Sequence, residues 1–163
     1  MNESLQAEII QMPERQLMGL KIETNLQTNQ TFQLWRQLMP WRQQYLTVLH
    51  TEVFAVQLYD ASYFEYFDVS NTFFQWACVE FQNGLDWPSS FEPLTIPAGL
   101  YAVFLYKGRS DDQSIFNRIF TEWLPTSKYA LDDRPHVQVM GEHYRNMDPN
   151  SEEMIYIPVR LKQ

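Results

Sequence analysis

The sequence has little cysteine, no cluster of metal-ligating residues and few basic residues, and each of these features excludes a class of protein. Cys78 is the single cysteine, so no intrachain disulfide can form. The three histidines, His50, His136 and His143, have no cysteine partner at zinc-binding spacing. The sequence therefore predicts neither a disulfide scaffold nor a metal site.

The charge balance and the N-terminus exclude two further classes. The chain of 163 residues carries 12 Lys and Arg against 20 Asp and Glu, a formal net charge of −8. This balance argues against direct binding of nucleic acid, whose phosphates require clustered basic side chains. Residues 1–5 show neither the basic region nor the apolar run of a signal peptide, and no apolar stretch is long enough to span a bilayer. We therefore predict a cytoplasmic protein that makes no contact with a membrane.

Aromatic residues are abundant: the chain has 5 Trp, 9 Tyr and 11 Phe. Aromatic rings serve large cores and aromatic-lined pockets equally well, so composition leaves both interpretations open. No Ser–His–Asp or Cys–His arrangement is recognisable, because nothing in the sequence places such partners together. No catalytic residue and no cofactor is predicted on this basis.

The first half of the chain predicts strands around one helix. Residues 6–24 form either a strand pair or one long strand bent at Pro13, and residues 28–39 form a helix with Thr28 or Asn29 as N-cap. Pro40 is expected to kink or end that helix, and Trp41 opens a second helical piece to residue 49. Residues 51–59 and 73–81 are predicted strands, with a polar and aromatic loop at 60–71 between them.

The second half repeats this order. A proline-containing connection with Pro88, Pro93 and Pro97 is predicted to link the halves, which cover about 1–90 and 91–163 of one domain. A strand at 100–107 precedes a helix capped by Ser110 and stopped at Pro125, and strands follow at 135–140 and 154–161. Both halves thus have the order strand–helix–strand–strand, which predicts an α+β fold.

Three segments of the second half resemble the GyrI-like family of effector-binding domains. They are residues 95–104 (TIPAGLYAVF), the helix end 122–125 (EWLP) with Ser127 and Arg134-Pro135 after it, and residues 151–159 (SEEMIYIPV). The resemblance covers about the last 70 residues well and the first half in outline.

The resemblance implies a fold and a function. The fold is a tandem pair of strand–helix–strand–strand modules that form an antiparallel sheet, with helices on one face and a ligand groove between the halves. The family includes drug-sensing domains of transcription regulators, a gyrase inhibitor and stand-alone binding proteins of the kind found as integron cassettes, and a subset is thought to hydrolyse strained cyclopropyl compounds.

The sequence departs from the family in two respects. The first strand begins within about ten residues of Met1, which leaves no space for a DNA-binding domain before it, so we expect a stand-alone module. Many members carry an acidic residue at the position of Gln138, where it meets the ligand's positive charge. Gln138 can orient a ligand by hydrogen bonds but supplies no charge.

Six residues are predicted to bind the ligand: Trp76, Glu80, Tyr101, Trp123, Gln138 and Tyr156. Strand alternation places Trp76 and Glu80 on one face, where a ring and a carboxylate suit a cation. In residues 155–157 the isoleucines are expected in the core and Tyr156 in the groove. Tyr101 and Trp123 recur in the family pattern, although the apolar helix face of Trp123 favours the core.

Other polar residues near these strands have plainer interpretations. His136 shares a strand face with Gln138, but a surface histidine is the expectation, and the Glu142, Glu152 and Glu153 side chains are expected to be solvated turn charges. Tyr59 and Glu52 lie on opposite faces of one strand, so at most one of them faces the groove.

Three functions follow from the sequence. The leading one is non-catalytic binding of hydrophobic or cationic small molecules in an aromatic-lined groove. The alternatives are a hydrolase of a strained electrophile, with a carboxylate as general base, and a protein-binding inhibitor of the gyrase-inhibitor type. A protein partner or a homodimer is compatible with all three.

Overall fold

The computed structural model describes residues 5–45 and 52–163. Within them lie nine strands and three α-helices. The strands are β1 (Glu8–Met12), β2 (Arg15–Thr24), β3 (Val53–Leu58), β4 (Phe73–Glu80), β5 (Glu92–Ile96), β6 (Gly99–Lys107), β7 (Tyr129–Leu131), β8 (His136–Met140) and β9 (Glu152–Leu161). The helices are α1 (Phe32–Gln43), α2 (Ser114–Arg118) and α3 (Leu124–Thr126), and a π-helical turn, Ile119–Trp123, joins α2 to α3.

The strands form one antiparallel sheet with a pseudo-symmetric order. The order is β1-β6-β9-β8-β3-β4-β2-β5, and β7 pairs with the end of β9. Outward from the central pair β3–β8, the next strand on each side is the last strand of one half, β4 or β9. The strand after it is the one that precedes the helix of that half, β2 or β6. The predicted strand–helix–strand–strand halves and the α+β fold are confirmed.

The two sheet edges are joined by a bent two-stranded ribbon. Only Pro13 and Glu14 separate β1 from β2, and β5 and β6 are equally close in the chain. The antiparallel register continues across the bend, with Met12 opposite Gly99 and Arg15 opposite Ile96. Residues 8–24 are therefore one bent strand in two sections, as one of the two sequence alternatives had it.

The predicted linker between the halves contains a strand. Residues 92–96 form β5, which pairs with β2 at the edge of the sheet. Pro93 lies within this strand, where its missing N–H costs no ladder hydrogen bond because an edge strand has a partner on one side only. The connection with Pro88, Pro93 and Pro97 therefore includes an edge strand, which the sequence analysis did not predict.

Both helices differ from the prediction at their ends. Helix α1 begins at Phe32, after Thr31, and does not end at Pro40, which lies on the exposed side of the helix. Of the predicted second helical piece, residues up to 43 belong to α1, and residues 46–49 lie outside the described part. Ser110 is not the cap of α2: the first N–H of α2, that of Ser114, donates to Oδ1 of Asp112 at 3.0 Å.

The sheet separates three apolar clusters. On one face, α1 covers a cluster that includes Leu20, Leu38, Ala77 and Val79. On the same face, α2 and the π-helical turn cover a second cluster, built on Ile115, Ile119, Ala102, Phe104, Ile155 and Ile157. The opposite face carries a third cluster, which contains Phe54, Val56, Trp76, Cys78, Tyr101, Val103, Val137 and Val139. The helices therefore share one face and leave a seam between them.

Candidate ligand-binding site

The seam between the helices lies over the central strands, at Gln138. A row of directly opposed residues crosses the sheet through this point: Ala77, Ala55, Gln138, Ile155 and Phe104. The two alanines belong to the cluster under α1, whereas Ile155 and Phe104 belong to the cluster under α2. Gln138 is the polar member between them. Its side chain therefore faces the groove between the two halves.

A chain of hydrogen-bonded side chains runs along the floor of this groove. The Gln57 amide donates to the Oε1 atoms of both Gln75, at 3.1 Å, and Gln138, at 3.0 Å. The Gln138 amide donates in turn to Oε1 of Glu153 at 2.9 Å. The chain thus crosses β4, β3, β8 and β9 and ends on a carboxylate. Because that carboxylate only accepts, it fixes the direction of the amides.

Glu153 is a groove side chain that sequence reasoning missed. It was expected to be a solvated turn charge, but it lies in β9, two residues before the core residue Ile155 and on the same face. Burial raises the pKa of the Glu153 carboxyl, and the hydrogen bond from Gln138 lowers it by a smaller amount. A carboxylate thus lies on the strand next to Gln138, one hydrogen bond away from it.

Aromatic rings close the other end of the groove. His136, expected at the surface, is instead 6% exposed, and burial lowers its pKa to about 3, so the ring is neutral. It contacts Tyr59, whose ring centroid is 4.8 Å away, and this answers which of Tyr59 and Glu52 faces the groove. Phe120 of the π-helical turn lies 6.1 Å from His136. Three aromatic side chains from three elements thus surround one space.

A side chain of the loop between β3 and β4 fills that space. Phe64 stacks on Phe120, with centroids 5.1 Å apart, and on His136, with centroids 5.5 Å apart. The remaining cavity, lined by Tyr59, Phe120, His136, Gln138 and other groove residues, is about 20 Å³. The groove is therefore closed by the protein itself.

The structure places four of the six predicted residues on the opposite face of the sheet. Trp76 and Tyr156 belong to a row that also contains Val56, Val137 and Val103, all of the third cluster or packed against it. Tyr101 lies in the same cluster, and Glu80 lies on the same face of β4 as Trp76. The side chains of these residues point away from that of Gln138, because the sheet lies between them.

Two of those four residues border a different cavity. Glu80 and Tyr156 line a space of about 500 Å³ beside the bend of the ribbon. Arg15 projects into it: its Nη2 atom lies 3.1 Å from Oε1 of Glu80, and its guanidinium lies 4.8 Å from the centroid of Phe54. The charge of Glu80 is therefore already met by a cation of the protein.

Trp76, Tyr101 and Trp123 have structural contacts. Trp76 is 5% exposed and belongs to the cluster on the face opposite Gln138. The Tyr101 hydroxyl donates to the carbonyl of Pro135 at 2.8 Å. Trp123 is half-buried and packs edge-on against Phe104, at the border of the cluster under α2.

Two further kinds of site, a metal site and a reactive thiol, find no support among the described residues. Among residues 5–45 and 52–163, no group of three His, Cys, Asp or Glu side chains is arranged to hold a metal ion. Cys78 is buried, and burial raises the pKa of its thiol, so it is not an activated nucleophile. In the same part of the chain, no helix is long and apolar enough to cross a membrane.

Comparison with known proteins identifies the domain. Residues 5–160 match the family described as GyrI-like small molecule binding domain. No curated protein sequence matches the chain at a significant level.

Solved structures share the fold. The protein SAV2435, bound to tetraphenylphosphonium, is similar with a TM-score of 0.71 and 12% identity, over 96% of this chain and 94% of that one. An integron cassette protein of Vibrio cholerae is similar with a TM-score of 0.67 and 16% identity, over 96% and 98% of the two chains. A hydrolase of Listeria innocua has a TM-score of 0.61 and 10% identity, over 96% and 93%.

Proposed function

The chain belongs to the family of GyrI-like small molecule binding domains, and we propose that it binds hydrophobic aromatic cations, without catalysis, in the groove between α1 and α2. Under this proposal it acts in the cytoplasm and without direct contact with nucleic acid. The observation that best supports this proposal is the half-buried carboxylate of Glu153, which the Gln138 amide holds in the groove.

The groove combines the two features that recognise an organic cation. Ring faces attract a positive charge through their quadrupole, and Tyr59 and Phe120 supply such faces. A carboxylate outside bulk water adds Coulomb energy that water screens less. Glu153 supplies the negative charge that position 138 lacks, because the Gln138 amide holds its carboxylate at the groove floor by a hydrogen bond. The structure of SAV2435 with a phosphonium cation supports the same class of ligand.

The same carboxylate supports a second candidate function. A half-buried carboxyl with a raised pKa suits a general base acting on water, and one of the similar structures is a hydrolase. Under this alternative the groove would hydrolyse a strained electrophile. Product formation that depends on Glu153 would favour it, whereas saturable binding without turnover favours the binding function.

Tetraphenylphosphonium titration tests the proposal. We expect a rise in the thermal midpoint and a change in tryptophan fluorescence, with a dissociation constant in the micromolar range, equivalent to about −8 kcal/mol. Glu153→Gln should weaken this binding. Glu152→Gln, which removes a carboxylate from the other face of the same strand, should not. If the wild-type protein shows neither response to a panel of aromatic cations, the proposed function is wrong.

A further inference from the structure

Phe64 has the surroundings of a bound aromatic ligand. Its ring packs against both Phe120 and His136, with interplanar angles of 29° and 19°, and the Tyr59 ring meets it edge-on at 4.9 Å. Phe120 and His136, whose ring centroids lie 6.1 Å apart, form with Tyr59 a three-sided slot that holds a single aromatic ring. The slot borders the polar chain through Gln138, which leads to Glu153.

The loop that carries Phe64 is attached mainly through its aromatic rings. Within residues 60–71, the backbone hydrogen bonds close local turns, such as those from Tyr63 to Asp60 and from Tyr66 to Ser62. One further backbone bond among the described residues, from Gln27 to Val69, ties the loop to another element. Tyr66 is 72% exposed. The loop can therefore leave the groove without breaking the sheet.

The closed position of the loop also leaves a polar group without a partner. The Tyr63 hydroxyl is buried and makes no hydrogen bond among the described residues. A buried hydroxyl without a partner is unfavourable, and opening of the loop would return it to water. Burial accordingly raises the pKa of Tyr63. This cost opposes the stacking of Phe64, so the closed state is held less tightly than its ring contacts suggest.

We propose that Phe64 occupies the ring subsite of the groove as an internal substitute for the ligand, and that a planar aromatic cation binds by displacing it. The proposal rests on the proposed function and specifies its ligand: one flat ring takes the place of Phe64 against Phe120 and His136, and the positive charge lies towards Glu153. Binding then requires the 60–71 loop to open.

The first test compares two phenylalanines of the same loop. Phe64→Ala removes the internal competitor, whereas Phe67→Ala removes a side chain that is 55% exposed and does not contact the slot rings. With 10-methylacridinium as probe, we expect Phe64→Ala to bind at least tenfold more tightly than wild type, equivalent to about 1.4 kcal/mol. Phe67→Ala should bind like wild type. If Phe64→Ala is folded and binds with equal or lower affinity, Phe64 does not compete with the ligand.

A second test needs no cation. If Phe64→Ala leaves a ring-shaped cavity, toluene should raise the thermal midpoint of that variant and leave wild type and Phe67→Ala unchanged, because empty apolar cavities bind small aromatic molecules. An absence of selective stabilisation would contradict the slot. This result is independent of the proposed function, since toluene carries no charge.

Hydrogen exchange on the wild-type protein covers the case in which Phe64→Ala fails to fold. Saturation with 10-methylacridinium should accelerate exchange at the Tyr63, Glu65 and Tyr66 amides, whose turns leave the groove with the loop. Protection of these amides would show that the loop closes over the ligand, and would overturn the displacement mechanism. Binding with such protection would still leave the proposed function standing, whereas failure of every cation to bind would end it.

Discussion

Replacement of Glu153 by glutamine separates the function of the groove from its stability. The substitution keeps the shape of the side chain and removes its charge, and the oxygen that accepts from the Gln138 amide at 2.9 Å has an equivalent in glutamine. The floor of the groove should therefore remain intact. A change in ligand affinity would then report the lost charge.

The expected loss of affinity is about 1.5–3 kcal/mol, the range for hydrogen bonds and close contacts that involve a charged group. This corresponds to roughly tenfold to 150-fold weaker binding of a cation. The ligand-free variant should be at least as stable as wild type. Burial raises the pKa of Glu153, so ionisation is less favourable in the folded than in the unfolded state; this cost grows as the pH rises above the unfolded pKa and is present in full above the folded pKa. Glutamine removes it.

Isothermal titration with 10-methylacridinium and with its neutral parent acridine, at an alkaline pH where acridine is uncharged, measures the charge preference. Glu153→Gln should lower the cation-to-neutral affinity ratio, and Glu152→Gln should leave it unchanged. An unchanged ratio in a folded Glu153→Gln variant would refute the argument that this carboxylate meets the ligand.

Three further predictions concern other parts of the molecule. The unfolding free energy should fall by about 1.4 kcal/mol for each pH unit below pH 6.5 through His136, because the unfolded chain binds that proton first, whereas the contribution of Glu153 has the opposite slope. Denaturant titrations of His136→Gln should therefore show a smaller loss at pH 5 than those of wild type. Gln138→Glu should strengthen cation binding more at pH 9 than at pH 6, because two adjacent carboxylates raise each other's pKa and share a proton at the lower pH. If the ratio of cation affinity to neutral-ligand affinity is constant with pH and equal to that of wild type, this prediction is wrong. Gly19→Ala should lower the unfolding free energy by about 1–3 kcal/mol, measured by denaturant melting, since the new methyl group would meet the backbone of β4; unchanged stability would mean that the strands separate there without cost.

The fold was predictable because its signals are local and repeated. Alternation in residues 73–81 and the apolar helix face around Ile119 were sufficient for the element order, and the family resemblance added the sheet. The bent ribbon was harder to predict, because Pro93 suggested a linker between the halves and no strand. An edge position in the sheet, which permits a proline, depends on strand order and is not visible in one segment.

The site was predicted only in part, because alternation gives two faces of each strand but not their correspondence across strands. Trp76 and Gln138 were assigned to one groove, yet cross-strand register places them on opposite faces. Glu153 was interpreted as a turn charge because its strand was predicted to begin at residue 154, two positions too late. Phe64 lies in a loop with no periodic signal, so its place in the groove depends on contacts with β8 and the π-helical turn.

The location of a bound cation tests the central claim most directly. A crystal of the complex with tetraphenylarsonium, measured at the arsenic absorption edge, gives an anomalous difference peak that marks the cation without reference to side chains. We predict a peak in the groove between α1 and α2, beside Glu153, with the Phe64 ring displaced. A peak in the cavity beside Arg15 and Glu80, on the other face of the sheet, would contradict the account.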